Sequence, residues 1–306
     1  MEDGLAVHRP GGSRVIRAGE RSHGALSWAW ALAGLAAGAW GFSDFIAGFC
    51  ARRLPVRSLL IGSKLTGMLL ALLYLAGRAD PLPGGVRLVV LSAAAGTIGV
   101  PSMGLLYRAM RDGSLTVVAP VAAGAALVPV GWGLLHGERL GAGGVIGAVA
   151  ALAGITLASW PAGDPAGPRR RPAVWCAAGA AAGFGTFFVL LHEAAPHDPF
   201  GAAAYALIFG GLAGCVLLAA TGWQTLRGLP PRLWIFPLTV GTLEPVADAA
   251  FAWSASGAAI GAAAIVASLY PAVTVLLNRV VLREKLPALH LCGVLSALAG
   301  VACLAG

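Results

Sequence analysis

Ten apolar stretches alternate with short polar connections along the chain. Each is close to the roughly 20 residues that cross a hydrocarbon core of about 30 Å. They run Leu26–Phe49, Ser58–Gly77, Leu88–Tyr107, Leu115–His136, Gly141–Trp160, Ala173–Leu191, Gly201–Thr221, Leu233–Trp253, Ile260–Leu282 and Ala288–Ala305. The pattern predicts an all-α integral membrane protein with ten transmembrane helices. The polar tail, residues 1–25, carries Arg9, Arg14, Arg17 and Arg21. The first apolar stretch after it is longer than a signal-peptide core and has no convincing cleavage site, so it reads as an uncleaved first span.

One segment of the pattern occurs twice. Gly137-Glu138-Arg139-Leu140, followed by glycines at 147 and 154, returns as Arg283-Glu284-Lys285-Leu286 with glycines at 293 and 300, an offset of 146 residues. Leu152-Ala153-Gly154 and Leu298-Ala299-Gly300 continue the match, which favours duplication over chance. Residues 161–172, rich in proline and holding Arg169-Arg170-Arg171, form the mid-chain linker and divide ten spans into five and five. An odd number of spans per copy makes the second enter the membrane in the opposite sense. The expected domains are therefore two inverted five-helix repeats, residues 26–160 and 173–306.

Composition agrees: 58% of residues are hydrophobic and 11% charged, against about a quarter charged in soluble domains. The net charge of +8 comes from arginines scattered over short loops, without a stripe interleaved with aromatics. It reads as anchoring to anionic lipid and as a topology signal, not as nucleic-acid binding. The implied location is the cell membrane. Cys50, Cys176, Cys215, Cys292 and Cys303 form no CxxC pair or His/Cys cluster and read as small packing residues. No GxxxxGK[ST] loop occurs, which argues against self-contained ATP-driven pumping; no cofactor or metal site is expected.

Ionisable groups inside hydrocarbon cost roughly 2.5 to 3.5 kcal/mol each even on lenient scales, so those present face a cavity or a partner. Glu244 and Asp248 lie four apart in the eighth span and share one helix face. Two like charges there repel, so one of them is expected to hold a proton. Such a pair could exchange protons, or another coupling cation, against a bound solute; alternatively Lys64 or Arg279 neutralises one carboxylate structurally. Pro245, next to Glu244, removes a helical donor and is expected to break the helix locally; freed carbonyls are likewise expected before Pro101, Pro129 and Pro271. Tyr270, Thr274 and Asn278 form a polar stripe in the ninth span, as cavity lining or as interhelical hydrogen bonds. Trp40 and Trp132 are candidate aromatic walls, although Trp also marks the interface. Asp44 and Lys64 are expected to pair structurally, and Glu138 and Glu284 to act as caps and loop anchors. Gly34 with Gly38, Gly143 with Gly147, Gly179 with Gly183, and Gly293 with Ala297 have the spacing of close helix contacts.

These residues resemble the drug/metabolite transporter superfamily, EamA type. The resemblance rests on Trp40-Gly41-Phe42-Ser43-Asp44-Phe45 with Arg52-Arg53-Leu54, and on Pro120 and Pro129 before Gly137-Glu138-Arg139-Leu140. It rests equally on Tyr270-Pro271-Ala272-Val273-Thr274 before Arg283-Glu284-Lys285-Leu286, and on the paired glycines. It implies a ten-span exporter or importer of small metabolites with a central cavity between the repeats, cytoplasmic termini, and a ninth span facing the cavity. Arginines following the odd spans outnumber those following the even ones and point the other way; arginines at snorkelling depth weaken that count.

The expected function is secondary active transport of a small organic solute by alternating access. A cavity with acids and aromatics and no arginine cluster suits amines, amino acids or hydrophobic cations better than phosphorylated metabolites. The rival is an integral-membrane enzyme, for which the nearest grouping is His192, Glu193, His197 and Asp198 after the sixth span. His192 and His197 lie five apart, a poor spacing for one helical face, and a solvated loop is the plainer reading.

Overall fold

The computed structural model describes residues 12–51, 53–82, 84–112, 118, 121–122, 124–139, 141–158, 170–196, 198–257, 260–267 and 269–282, with 288–289, 292–293, 295–296 and 299–300 beyond. Ten helices of eight residues or more organise these residues: α1 Gly12–Ala51, α2 Val56–Gly77, α3 Val86–Asp112, α4 Leu127–Leu135, α5 Ala142–Ala158, α6 Arg170–Ala194, α7 Pro199–Thr221, α8 Ile235–Gly257, α9 Ile260–Ala267 and α10 Tyr270–Leu282, with a single helical turn at Gln224–Arg227 between α7 and α8. No strand occurs among the described residues. Five helical segments are long and apolar enough to cross a membrane: Trp28–Ala51, Val56–Gly77, Val86–Asp112, Pro172–Ala194 and Pro199–Thr221. Gly124–Leu135, Ala142–Gly154 and Ala263–Thr274 are shorter apolar helices. At 1.5 Å per residue, the 23 residues of α8 reach roughly 34 Å, but α8 carries Glu244 and Asp248 in mid-length.

Two boundaries depart from the sequence reading. The tail is not wholly outside the first helix: α1 begins at Gly12, because each residue added to an existing helix gains a backbone hydrogen bond without a new nucleation cost. The linker's Arg170, Arg171 and Pro172 belong to the first turn of α6, while 159–169 lie outside the described residues.

The breaks also fall elsewhere than expected. Helix α8 runs through Pro245, and α3 through Pro101, without interruption. The ninth stretch is the broken one: α9 ends at Ala267 and α10 starts at Tyr270. A proline ring clashes with the carbonyl four residues back, and for Pro271 that carbonyl belongs to Ala267, where the helix stops. Pro271 then sits in the first turn of α10, where a missing N–H goes unneeded. Pro129 occupies the same place in α4, after a 3₁₀ turn at Gly124–Ala126.

Helices pair across the chain more than along it. The most extensive contacts are α3 with α6, α1 with α8, α2 with α7 and α3 with α7, followed by α2 with α8. Glycine makes these approaches possible. A Cβ at Gly96 would collide with the Ala206 carbonyl of α7, and one at Gly241 of α8 would lie 2.5 Å from the Ser63 carbonyl of α2. Of the predicted small-residue pairs, Gly179 and Gly183 do lie against α3, at Leu105 and Ser102, whereas Gly34, Gly38 and Gly143 face open space. Ala297 lies outside the described residues. Large apolar side chains such as Val216 and Val280 remain exposed, as expected for a surface solvated by lipid. Among the described cysteines, Cys50 is buried and all are free thiols.

Candidate substrate site

Six helices converge on a central cavity: α1, α2, α3, α6, α8 and α10. Helix α1 presents Trp40 and Asp44, four residues apart and so on one face. Lys64 comes from α2, Glu244 and Asp248 from α8, and Tyr270 from the start of α10. Gly99, Met103 and Leu106 of α3 and Phe184, Phe187 and Phe188 of α6 supply the apolar wall. The free space is about 60 Å³, room for a few waters at roughly 10 to 15 Å³ of such space each, so the cavity is small.

The charged groups are nearly dry. Glu244 is 3% exposed, Asp44 6% and Asp248 8%. Lys64 Nζ donates to Glu244 Oε2 at 2.7 Å, and Trp40 Nε1 donates to Asp248 Oδ1 at 3.2 Å. Glu244 and Asp248 do share a helix face, and each has its own partner from another helix. The second oxygen of Glu244, Oε1, is buried and accepts no hydrogen bond among the described residues. Rings stand around the acids: Trp40 lies 5.2 Å from Phe188, 5.8 Å from Phe251 and 6.4 Å from Tyr270, centroid to centroid.

The expected Asp44–Lys64 pair is not what forms. Helix α2 packs along α8 through the Gly67–Gly241 approach and scarcely touches α1, so Lys64 reaches Glu244, while Asp44 becomes part of the cavity wall. The pair that forms is the other one the sequence offered, Lys64 neutralising a carboxylate of the eighth span, while Asp44 and the phenylalanines of α6 were missed as cavity residues. The available signals were the four-residue step from Trp40 to Asp44 and the three- and four-residue steps from Phe184 to Phe187 and Phe188.

The polar stripe of the ninth stretch divides. Tyr270 lines the cavity. The buried Thr274 hydroxyl lies 3.0 Å from both the Gly41 and the Tyr270 carbonyl oxygens, which makes it a tie between α10 and α1. Asn278 falls within α10, but its side chain, like that of Arg279, lies outside the described residues. Trp132 stands apart from the cavity: its Nε1 donates to Glu193 Oε1 at 3.0 Å, and its ring stacks on His136 at 4.1 Å.

Of the group after the sixth stretch, His192 and Glu193 lie within the last turn of α6, and Glu193 and Asp198 have structural partners. Glu193 pairs with Arg87 and accepts from Trp132. Asp198 accepts from the Gly201 amide at 2.8 Å as N-cap of α7 and pairs with Arg78 at 2.8 Å. That hydrogen bond pushes the Arg78 guanidinium further above its ordinary value. His197 lies outside the described residues, and no cluster of three metal-ligating side chains occurs among the described ones. Glu138, expected as a cap, accepts at 2.7 Å from the Ile260 amide, the first of α9; Glu284 lies outside the described residues.

A bundle of apolar helices around a dry, charged cavity defines a polytopic membrane protein with an internal site. Residues 171–306 match the sequence model of the EamA-like transporter family, the family that the motifs resemble. The family is one of membrane transporters of the drug/metabolite type, and the chain is accordingly a multi-pass membrane protein of transporter character. A solved crystal structure aligns over 90% of this chain and 97% of its own, with a TM-score of 0.72 and 18% identity, a likeness of fold alone. No curated protein matches the chain.

Proposed function

We propose that the protein is a secondary active transporter of a small organic solute in the cell membrane. It works by alternating access between two inverted five-helix repeats, residues 26–160 and 173–306, and protons or another cation drive it. The observation that carries this reading is the small cavity: three of its helices come from each side of the linker, and three acids stand in its wall. A pocket built at the seam of two bodies opens to one face or the other as they rock.

The repeat symmetry has several supports. Advancing α3 by 146 residues brings it onto α8, α2 onto α7 and α4 onto α10, to within a few residues at each end. Contacts are exchanged in the same way, α3 on α6 and α1 on α8. Ser296 Oγ donates to the Ala150 carbonyl at 3.1 Å, and these two residues are 146 apart. A dyad relating the copies brings equivalent positions of α5 and the last segment together.

Coupling follows from the acids. In a cavity this dry, each negative charge needs a compensating proton or cation, and exchange of that companion for solute links the two fluxes. Glu244→Gln and Asp248→Asn should each insert normally in the membrane and lose uphill counterflow in proteoliposomes. Wild-type pH-dependent uptake by both variants would remove the coupling role.

A further inference from the structure

The cavity holds an excess of negative charge. Asp44, Glu244 and Asp248 line it against one described cation, Lys64, and Lys64 is already spent on one oxygen of Glu244. An acidic cluster alone could be a folding device. Here a second observation points to a ligand: the other oxygen of Glu244, in a side chain 3% exposed, lines the cavity without any hydrogen-bond donor among the described residues. An unmet buried acceptor is costly, more so when charged, and one that lines a cavity is placed to receive a donor from a ligand. The walls match the same visitor, since aromatic faces attract cations and the attraction grows when water is excluded; Trp40 and Tyr270 present such rings beside the acids.

We infer that the solute is an organic cation, an amine or quaternary ammonium with a compact apolar body, bound with its charged nitrogen among Asp44, Glu244 and Asp248. This inference rests on the transporter reading and narrows it. An organic anion would meet three carboxylates. A zwitterionic amino acid would need a cation for its carboxylate, and among the described cavity residues Lys64 already serves Glu244. Lys64 then has a defined part: its ammonium, 2.7 Å from Glu244 Oε2, is a tethered competitor that satisfies the acid while the site is empty. The cavity must widen beyond its present 60 Å³ to admit more than a very small amine, which alternating access provides.

The test uses three probes of one body and different charge: phenethylamine, phenylalanine and 3-phenylpropionate. Binding to the detergent-purified protein is measured by calorimetry and thermal shift, since a ligand held by the folded state raises its apparent stability. Phenethylamine should bind, with phenylalanine and 3-phenylpropionate at least tenfold weaker. Asp248→Asn should weaken the amine tenfold or more. Lys64→Met, which removes the competitor, should tighten it several-fold, a gain that misfolding cannot produce. Equal or tighter binding of phenylalanine or 3-phenylpropionate, no binding by any probe, or a folded Lys64→Met protein that binds the amine less tightly would each overturn the inference. Exchange of labelled probes across proteoliposomes separates the two readings. Bound phenethylamine that is never exchanged defeats transport and leaves the cation site, whereas exchange of the anion or zwitterion alone defeats the cation site and leaves transport.

Discussion

Two sets of ion pairs join the parts of the chain before and after the linker, and their surroundings differ. In the cavity, Lys64 meets Glu244 with side-chain exposures of 13% and 4%. At the helix ends, Arg87 meets Glu193 with Arg87 72% exposed, and Arg78 meets Asp198 beside a helix start. The chemistry is alike: a cation from the first half and a carboxylate from the second. The energetic meaning is opposite. A buried pair is expensive to assemble and more damaging to break, because the survivor is left charged and unsolvated. An exposed pair competes with water and salt and contributes little. A transporter has use for both, a charged centre it can reorganise only together with its solute and a rim that gives way at small cost.

The comparison breaks most readily at its buried member. Glu244→Gln or Lys64→Met alone should lower unfolding stability in detergent by about 3 to 5 kcal/mol. The double variant should lose less than either single one, since neither orphaned charge remains. A double variant whose loss equals the sum of the singles would show that the two side chains do not act on each other. Next, Trp40→Phe keeps a ring in the wall and removes the donor to Asp248, with an expected loss of about 1.5 to 3 kcal/mol measured by the same unfolding titration. A smaller effect follows from Asp198→Ala, about 1 kcal/mol for the lost cap of α7, seen as faster amide exchange in its first turn. Last comes Arg87→Ala, about 0.2 to 1 kcal/mol, and this difference should vanish as salt is raised. A salt-insensitive loss at Arg87 would place that pair in the same category as the cavity pair.

Helices and acids were legible in the sequence for one physical reason: a bilayer punishes polar groups, so both the spans and the exceptions within them stand out. Glu244, Asp248 and Tyr270 stand out that way and line the cavity, as does Trp40, which the sequence offers as an aromatic wall. The partner of Lys64 was left open between Asp44 and the acids of the eighth span, because it depends on which helices touch, and α2 chooses α8 through two glycines whose neighbours no local pattern reveals. The same blindness separates Gly179 and Gly183, pressed against α3, from Gly34 and Gly38, which have equal spacing and where an added Cβ would meet nothing within 4 Å among the described residues. Prolines mislead similarly. Pro245 and Pro271 look alike in sequence, but the helix continues through the first and stops at the carbonyl that the second would strike. Thr274 was legible as polar, yet only the closeness of Gly41 decides that its hydroxyl serves as a tie.

The separation of Lys64 from Glu244 along the chain has a consequence for biosynthesis. The two are 180 residues apart, so the ribosome delivers the ammonium to the membrane long before its carboxylate has been translated. Until then α2 is an isolated segment with a cation in its middle, and insertion must come first with docking afterwards. That interval is when quality control in the membrane would see an unfinished chain.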